Sequence, residues 1–132
     1  MSQENVEVVW RIAEAWSAGN LEASLAALNP EIAWYDAPQQ PGGSVRRGHS
    51  GVRESVRMWV GAWDAYRYQP EEVIDSGDKV LLVGRQLGRG KGSAVEVASE
   101  LLHVWTLRDG KAVEMRMFMD RSEAFEAAGL RE

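Results

Sequence analysis

A carboxylate at the end of a short aromatic stretch, Glu31-Ile-Ala-Trp-Tyr-Asp36, is the group in this sequence best placed to move a proton. If the stretch is a strand, Ile32, Trp34 and Asp36 share one face. An inward Trp34 then carries Asp36 inward, where a carboxylate shielded from water can serve as a general base. The alternative is that Asp36 simply opens the loop before Pro38. Three further polar residues are candidates for the same chemistry. Gln86 shares strand parity with Leu82 and Gly84, Glu100 shares it with Leu102 and Val104, and His49 stands just ahead of a helix, within reach of a pocket mouth. Glu100 also suits a strand end near solvent, and His49 an exposed helix start.

The rest of the composition narrows the chemistry by exclusion. There are no cysteines and only two histidines, His49 and His103, so thiolate sites are ruled out, no metal site is expected and no cofactor motif is found. A net charge of −5 disfavours nucleic acid, which needs a concentrated basic surface. The opening MSQENVEVVWRIAEAW has neither a basic leader nor an unbroken apolar run, and no segment approaches a membrane span, so a cytoplasmic location with no membrane partner is expected.

The elements that must position these groups follow from periodicity. Within 132 residues, 45% hydrophobic and 27% charged, one domain with one core is expected. Val6, Val9, Ala13 and Trp16, widened by Val8 and Ile12, form a helical stripe over Glu4 to Ala18, which Gly19 stops. Asn20 caps a short helix from Leu21 to Leu28, and Pro30 closes the pair. Ala37 to Gly48 reads as a loop. A third helix over Ser50 to Ala62 carries Val52, Val56, Trp59 and Trp63 on one stripe. Four strands follow, Tyr66 to Ile74, Lys79 to Leu87, Val95 to Leu107 and Lys111 to Met119. A closing helix over Ser122 to Ala128 is capped by Asp120 or Ser122. Helices first and a meander afterwards indicate an α+β fold with helices covering one sheet face.

Asp109-Gly110 suits a two-residue hairpin pairing Arg108 with Lys111. An unbroken ladder behind it sets Thr106 opposite Val113, Val104 opposite Met115 and Leu102 opposite Met117. On that register Leu102, Val104, Met115, Met117 and Met119 face the interior. His103, Trp105, Glu114, Arg116 and Phe118 face outward. His103 then belongs to packing or a subunit contact rather than to catalysis. Leu87, Leu101, His103, Trp105, Arg116 and Phe118 would form an outer apolar patch suited to a homodimer.

Several segments together resemble one known family. They are Val8-Val9-Trp-Arg-Ile-Ala-Glu-Ala-Trp16-Ser-Ala-Gly-Asn-Leu21, Asn29-Pro-Glu-Ile-Ala-Trp-Tyr-Asp36, Arg47-Gly-His-Ser-Gly-Val-Arg53, His103-Val-Trp-Thr-Leu-Arg-Asp-Gly-Lys111 and Met115-Arg-Met-Phe-Met-Asp120. Over nearly the whole chain they resemble the SnoaL-like branch of the nuclear transport factor 2-like superfamily. The resemblance implies a cone-like curved antiparallel sheet with helices packed on its concave face, a cystatin-like roll. It also implies a fold that hosts ketosteroid isomerases, limonene-epoxide hydrolases, scytalone dehydratases and polyketide cyclases.

Carried over residue by residue, the resemblance supplies little machinery. The isomerase base falls on Asp36, but its two tyrosines fall on Ile12 and Val56 and its acid on Leu102, so the oxyanion hole is missing. The epoxide hydrolase pair falls near Gly84 and Gln86, and its later aspartate on Met117. A polyketide-type cyclase, in which one carboxylate shuttles the proton, asks less of the protein, so the resemblance implies a reaction class with which Asp36 is compatible.

Six tryptophans and the methionines of the last strand are more bulk than a small solid core takes up easily, which points to cavity walls. Ile12, Trp16, Trp34, Val56, Trp59 and Trp63 would line the cavity from the helices and first strand. Leu102, Val104, Met115, Met117 and Met119 would line it from the sheet. The expected partner is a small apolar organic molecule, handled by a cofactor-independent isomerase, lyase or cyclase. A non-catalytic binding or sensing domain and a structural dimerisation module with a filled core are the alternatives.

Overall fold

The computed structural model describes residues 2–37 and 45–131. Helix α1 (Ser2–Ser17) buries Val8, Val9, Ile12 and Ala13. It ends where Gly19 turns left-handed, with the Gly19 and Asn20 amides donating back to the Trp16 and Ala15 carbonyls. The Asn20 side chain then accepts from the Ala23 amide and starts α2 (Leu21–Leu25), shorter than the periodicity suggests. The chain goes directly into β1 (Leu28–Tyr35), passing through Pro30 rather than beginning after it. Ile32, Trp34 and Asp36 are all buried, the shared face expected of them.

Inside the stretch read as a loop, Val45–Arg47 forms an edge strand, β2, paired antiparallel to β1. Residues 38–44 lie outside the described residues. Next come α3 (Gly48–Gly61) and the meander β3 (Trp63–Ser76), β4 (Lys79–Gly90), β5 (Glu96–Arg108) and β6 (Lys111–Phe118). The chain closes with α4 (Arg121–Ala127), capped by the Asp120 carboxylate. The six strands run β2-β1-β6-β5-β4-β3 in one curved, unclosed sheet. Among the described residues every pairing is antiparallel but one: β1 lies parallel to β6, with Trp34 beside Met115. Among the described residues no helix is long and apolar enough to cross a membrane.

The β5–β6 register corrects the sequence reading. Arg108 does pair with Lys111, but Leu107 then pairs with Ala112 and Thr106 with Glu114. Val113 is an extra residue, a bulge that shifts everything behind it by one. Trp105 therefore faces Met115 and His103 faces Met117. His103, Trp105 and Leu101 lie on the concave face with the methionines. Leu102 and Val104 lie on the convex face, packed with Leu81, Val83, Ala124, Phe125 and Ala128 beneath α4. The outer patch proposed for a homodimer thus loses Leu101, His103 and Trp105 to the interior. Leu87, Arg116 and Phe118 stay on the convex face, where Phe118 packs half-buried against the cluster beneath α4.

Candidate functional site

The helices do not close completely over the concave face, and a cavity of about 530 Å³ remains between α1, α3 and the strands. Trp16, near the end of α1, lines it, and its Nε1 donates to Ser24 Oγ of α2 at 3.1 Å. Its ring meets Trp34 edge-on at 6.2 Å, Tyr68 at 5.7 Å and His103 at 4.9 Å. Val56, Trp59, Tyr66, Leu101 and Met117 complete an apolar wall. Arg53, Arg57 and Arg67 stand among the lining residues, all exposed. No Asp or Glu is on the wall among the described residues.

Two polar networks hold this wall in place. At one end the buried Gln86 accepts through Oε1 from Trp59 Nε1 at 2.8 Å and from the Tyr66 hydroxyl at 3.3 Å. Its amide donates to Ser99 Oγ at 3.1 Å. Tyr66 lies within an irregular stretch of β3 between Asp64 and Arg67, where Ala65 is at φ 55°. Burial pushes the Tyr66 phenol up to about 12, so it is a neutral donor at ordinary pH.

At the other end Trp34 Nε1 donates to Ser55 Oγ at 3.0 Å, and Ser55 donates to Asp36 Oδ1 at 2.5 Å. The other Asp36 oxygen accepts from Arg46 Nε at 2.8 Å, and Arg46 also donates to Glu54 at 2.6 Å. The Asp36 side chain is fully shielded and that of Arg46 only 10% exposed. The hydrogen bond it donates to Asp36 holds the Arg46 guanidinium above its ordinary range. β1, β2 and α3 are thereby tied together, and Gly51 lets α3 come close, since a Cβ there would stand 3.0 Å from the Arg46 Cβ.

The floor of the cavity differs. His103 is 1% exposed, and burial alone pulls its imidazole down to about 3, so the ring stays neutral. The Tyr68 ring crosses β4 and rests its hydroxyl on Gly84, where a Cβ would overlap that oxygen. Burial raises the Tyr68 phenol too. Neither the Tyr68 hydroxyl nor His103 Nδ1 has a hydrogen-bond partner, and the same holds for Trp105 Nε1, which is off the wall.

An aromatic cavity between a helical layer and an open curved sheet agrees with what comparison finds. Residues 9–115 match the family model described as a SnoaL-like domain. The chain belongs to this family. No curated protein matches this SnoaL-like domain at a significant level. Among solved structures it is similar to an NTF2-like protein from Burkholderia thailandensis E264, with TM-score 0.80, 25% identity and coverage of 96% of this chain and 98% of that one. It is also similar to an NTF2-like protein of unknown function from Burkholderia pseudomallei K96243, with TM-score 0.79 and 25% identity over 93% and 95% of the two chains. TerC, co-crystallised with polyporic acid, matches with TM-score 0.76 and 25% identity over 96% and 98%.

Of the residues singled out by sequence, this SnoaL-like domain brings Trp16, Trp34, Val56, Trp59 and Met117 to the cavity. Ile12 and Met115 are buried in the core beside it, and Trp63 packs against Tyr66 at the start of β3. Met119 is 37% exposed. Leu102 and Val104 are on the opposite face because of the bulge. Gln86 supports the wall, and Asp36 stands behind Ser55. Glu100 forms an ion pair with Arg121 on the convex side at 2.7 Å. His49 Nε2 bonds the Leu28 carbonyl at 2.9 Å and so joins α3 to β1, away from the wall.

Sequence reasoning missed Ser55, Tyr66, Tyr68, Leu101 and His103. The signal for the last two was the spacing of Ala112, Met115 and Met117, which fits a strand only if a bulge separates the first pair. Among the described residues no cluster of three His, Asp or Glu side chains could hold a metal.

Proposed function

We propose that this SnoaL-like domain binds one flat, apolar ring compound in the concave cavity. The observation that carries the reading is the continuous wall of Trp16, Trp34, Trp59, Tyr66 and Tyr68 around about 530 Å³, within the size range of small-molecule sites. Co-crystallisation of the similar TerC with polyporic acid supports a small organic ligand in this fold. Titration with 2-naphthol tests the proposal, because three tryptophans line the space. Saturable quenching of their fluorescence is expected. A linear, collisional response would refute it.

A second reading, proton transfer of the isomerase, lyase or cyclase kind, is favoured by one contact. Ser55 lies on the wall and donates to Asp36. A substrate C–H proton can pass to Ser55 Oγ while the Ser55 proton passes to Asp36, leaving an enolate in the cavity. Asp36→Asn and Ser55→Ala should then each abolish turnover and leave ligand affinity within about threefold. Full turnover in either variant would remove the relay.

A further inference from the structure

The cavity is graded from its buried end to its mouth. Trp34, Tyr68, Leu101 and Met117 are buried, whereas Arg53, Arg57, Val60, Gly61 and Arg67 are exposed and mark the side open to water. Residues 53, 56, 57 and 60 of α3 all border the cavity, at the i, i+3, i+4, i+7 spacing of one helical stripe. A stripe beside an apolar space ordinarily carries apolar side chains, and here two of the four positions are arginine. Arginine stems can lie along such a wall while their heads stay in water. In a chain of net charge −5, three guanidinium groups thus border the opening, and no Asp or Glu lies on the wall among the described residues.

Two of the three guanidinium groups are already paired. Arg53 holds Glu22 of α2 through two bonds of 2.8 and 3.0 Å, and Arg67 holds Glu96 of β5 at 3.4 Å. Arg57 makes no ion pair or hydrogen bond among the described residues, and Glu54, one turn before it, is engaged by Arg46 at 2.6 Å. We infer that the ligand of this SnoaL-like domain is a ring carboxylate, with its ring in the aromatic hollow and its carboxylate at the mouth on Arg57. The inference rests on the ring-binding function proposed above and adds the charge of the ligand. One uncommitted guanidinium suits one carboxylate, whose two oxygens can both accept from its planar fork. A dianionic phosphate would meet a single uncompensated positive charge flanked by Glu22 and Glu96. An uncharged ring compound uses the hollow alone and leaves Arg57 in water. Arg57 therefore sets specificity, and the ring body is left to the tryptophans.

The pair 2-naphthoate and 2-naphthamide tests this, because the two differ in charge at nearly constant shape. In calorimetric titrations at neutral pH and low salt, the wild type should bind 2-naphthoate about fivefold more tightly, near the upper limit for an ion pair exposed to water. The preference should fall below about twofold in about 0.5 M salt, where charges are screened within a few ångströms. Arg57→Gln should erase the preference and Arg57→Glu should reverse it. Arg57→Lys, which keeps the charge, should retain a preference above about twofold. All three variants should hold 2-naphthamide within about twofold of wild type, which shows the cavity intact. Arg108→Gln makes the same change in net charge as Arg57→Gln at the β5–β6 hairpin, away from the cavity wall, and should keep the full preference. Equal affinity of the wild type for the two probes, or a preference that persists in Arg57→Gln, overturns the carboxylate site while leaving the cavity reading in place. Binding of neither probe overturns the cavity reading and the carboxylate site with it.

Discussion

The two faces of β4 and β5 carry almost the same kind of residue and do different things with it. On the convex side Leu81, Val83, Leu102 and Val104 meet Ala124, Phe125 and Ala128 of the last helical turns in one buried apolar cluster. On the concave side Leu82, Leu101, His103 and Trp105 meet α1 and the aromatic side chains, and about 530 Å³ is left between them. Small residues on α4 permit close approach and dense packing. On the concave side indole and phenol rings meet edge-on or tilted at 5.6–6.2 Å around the open space. Hydrophobicity alone therefore does not distinguish a core from a site. The hollow face is marked by its aromatic rings and by the buried polar side chains of Ser55, Gln86 and His103.

The largest effect should come from removing the support of the hollow face. Arg46→Met leaves the shielded Asp36 carboxylate without the guanidinium that pairs with it, and removing one partner of a buried pair costs about 3–5 kcal/mol. Urea unfolding should show the loss, and a change within about 1 kcal/mol would mean that the Asp36–Arg46–Glu54 cluster does not hold α3 in place. Next comes the direct comparison of faces. Leu102→Ala, in the convex cluster, should cost about 2–5 kcal/mol with no change in ligand affinity. Leu101→Ala, on the cavity wall, should cost about 1 kcal/mol less and alter ligand affinity. Equal costs and equal affinities would erase the distinction.

That distinction was only partly legible in the sequence. The first-strand face of Ile32, Trp34 and Asp36 could be read because β1 alternates buried and half-buried residues from Ile32 on. The hairpin turn at Asp109-Gly110 could be read from turn chemistry. The β5 register could not, because both faces of β5 are covered and Leu101 to Trp105 is apolar on either parity. With no polar face to fix it, one bulged residue, Val113, decided which side was the site. The role of Asp36 was half visible. Its burial followed from Trp34, but the ion pair with Arg46 joins residues ten apart across a strand that the sequence hid in a loop.

A smaller effect sharpens the account of the floor. An unfolded chain protonates His103 near its ordinary 6.5, while the folded ring resists protonation down to about 3. The unfolded state thus binds more protons in this window. Stability from His103 is complete above 6.5 and declines as pH falls toward 3, by up to about 1.4 kcal/mol per pH unit. Tyr68 from β3 and Trp16 from α1 face the ring, and both are uncharged here. Between pH 7 and pH 5, wild type should lose about 2 kcal/mol relative to His103→Leu in urea titrations. Parallel pH profiles would place the imidazole in contact with solvent.

The central claim, that the hollow face is a ligand site, is tested most directly by filling it. Val56→Trp puts a second large ring into the cavity from α3 without touching the convex layer. Calorimetric titration with 2-naphthol should show one saturable site in the wild type and at least a tenfold loss of affinity in the folded variant. Unchanged affinity, or saturable binding in neither protein, would contradict the account.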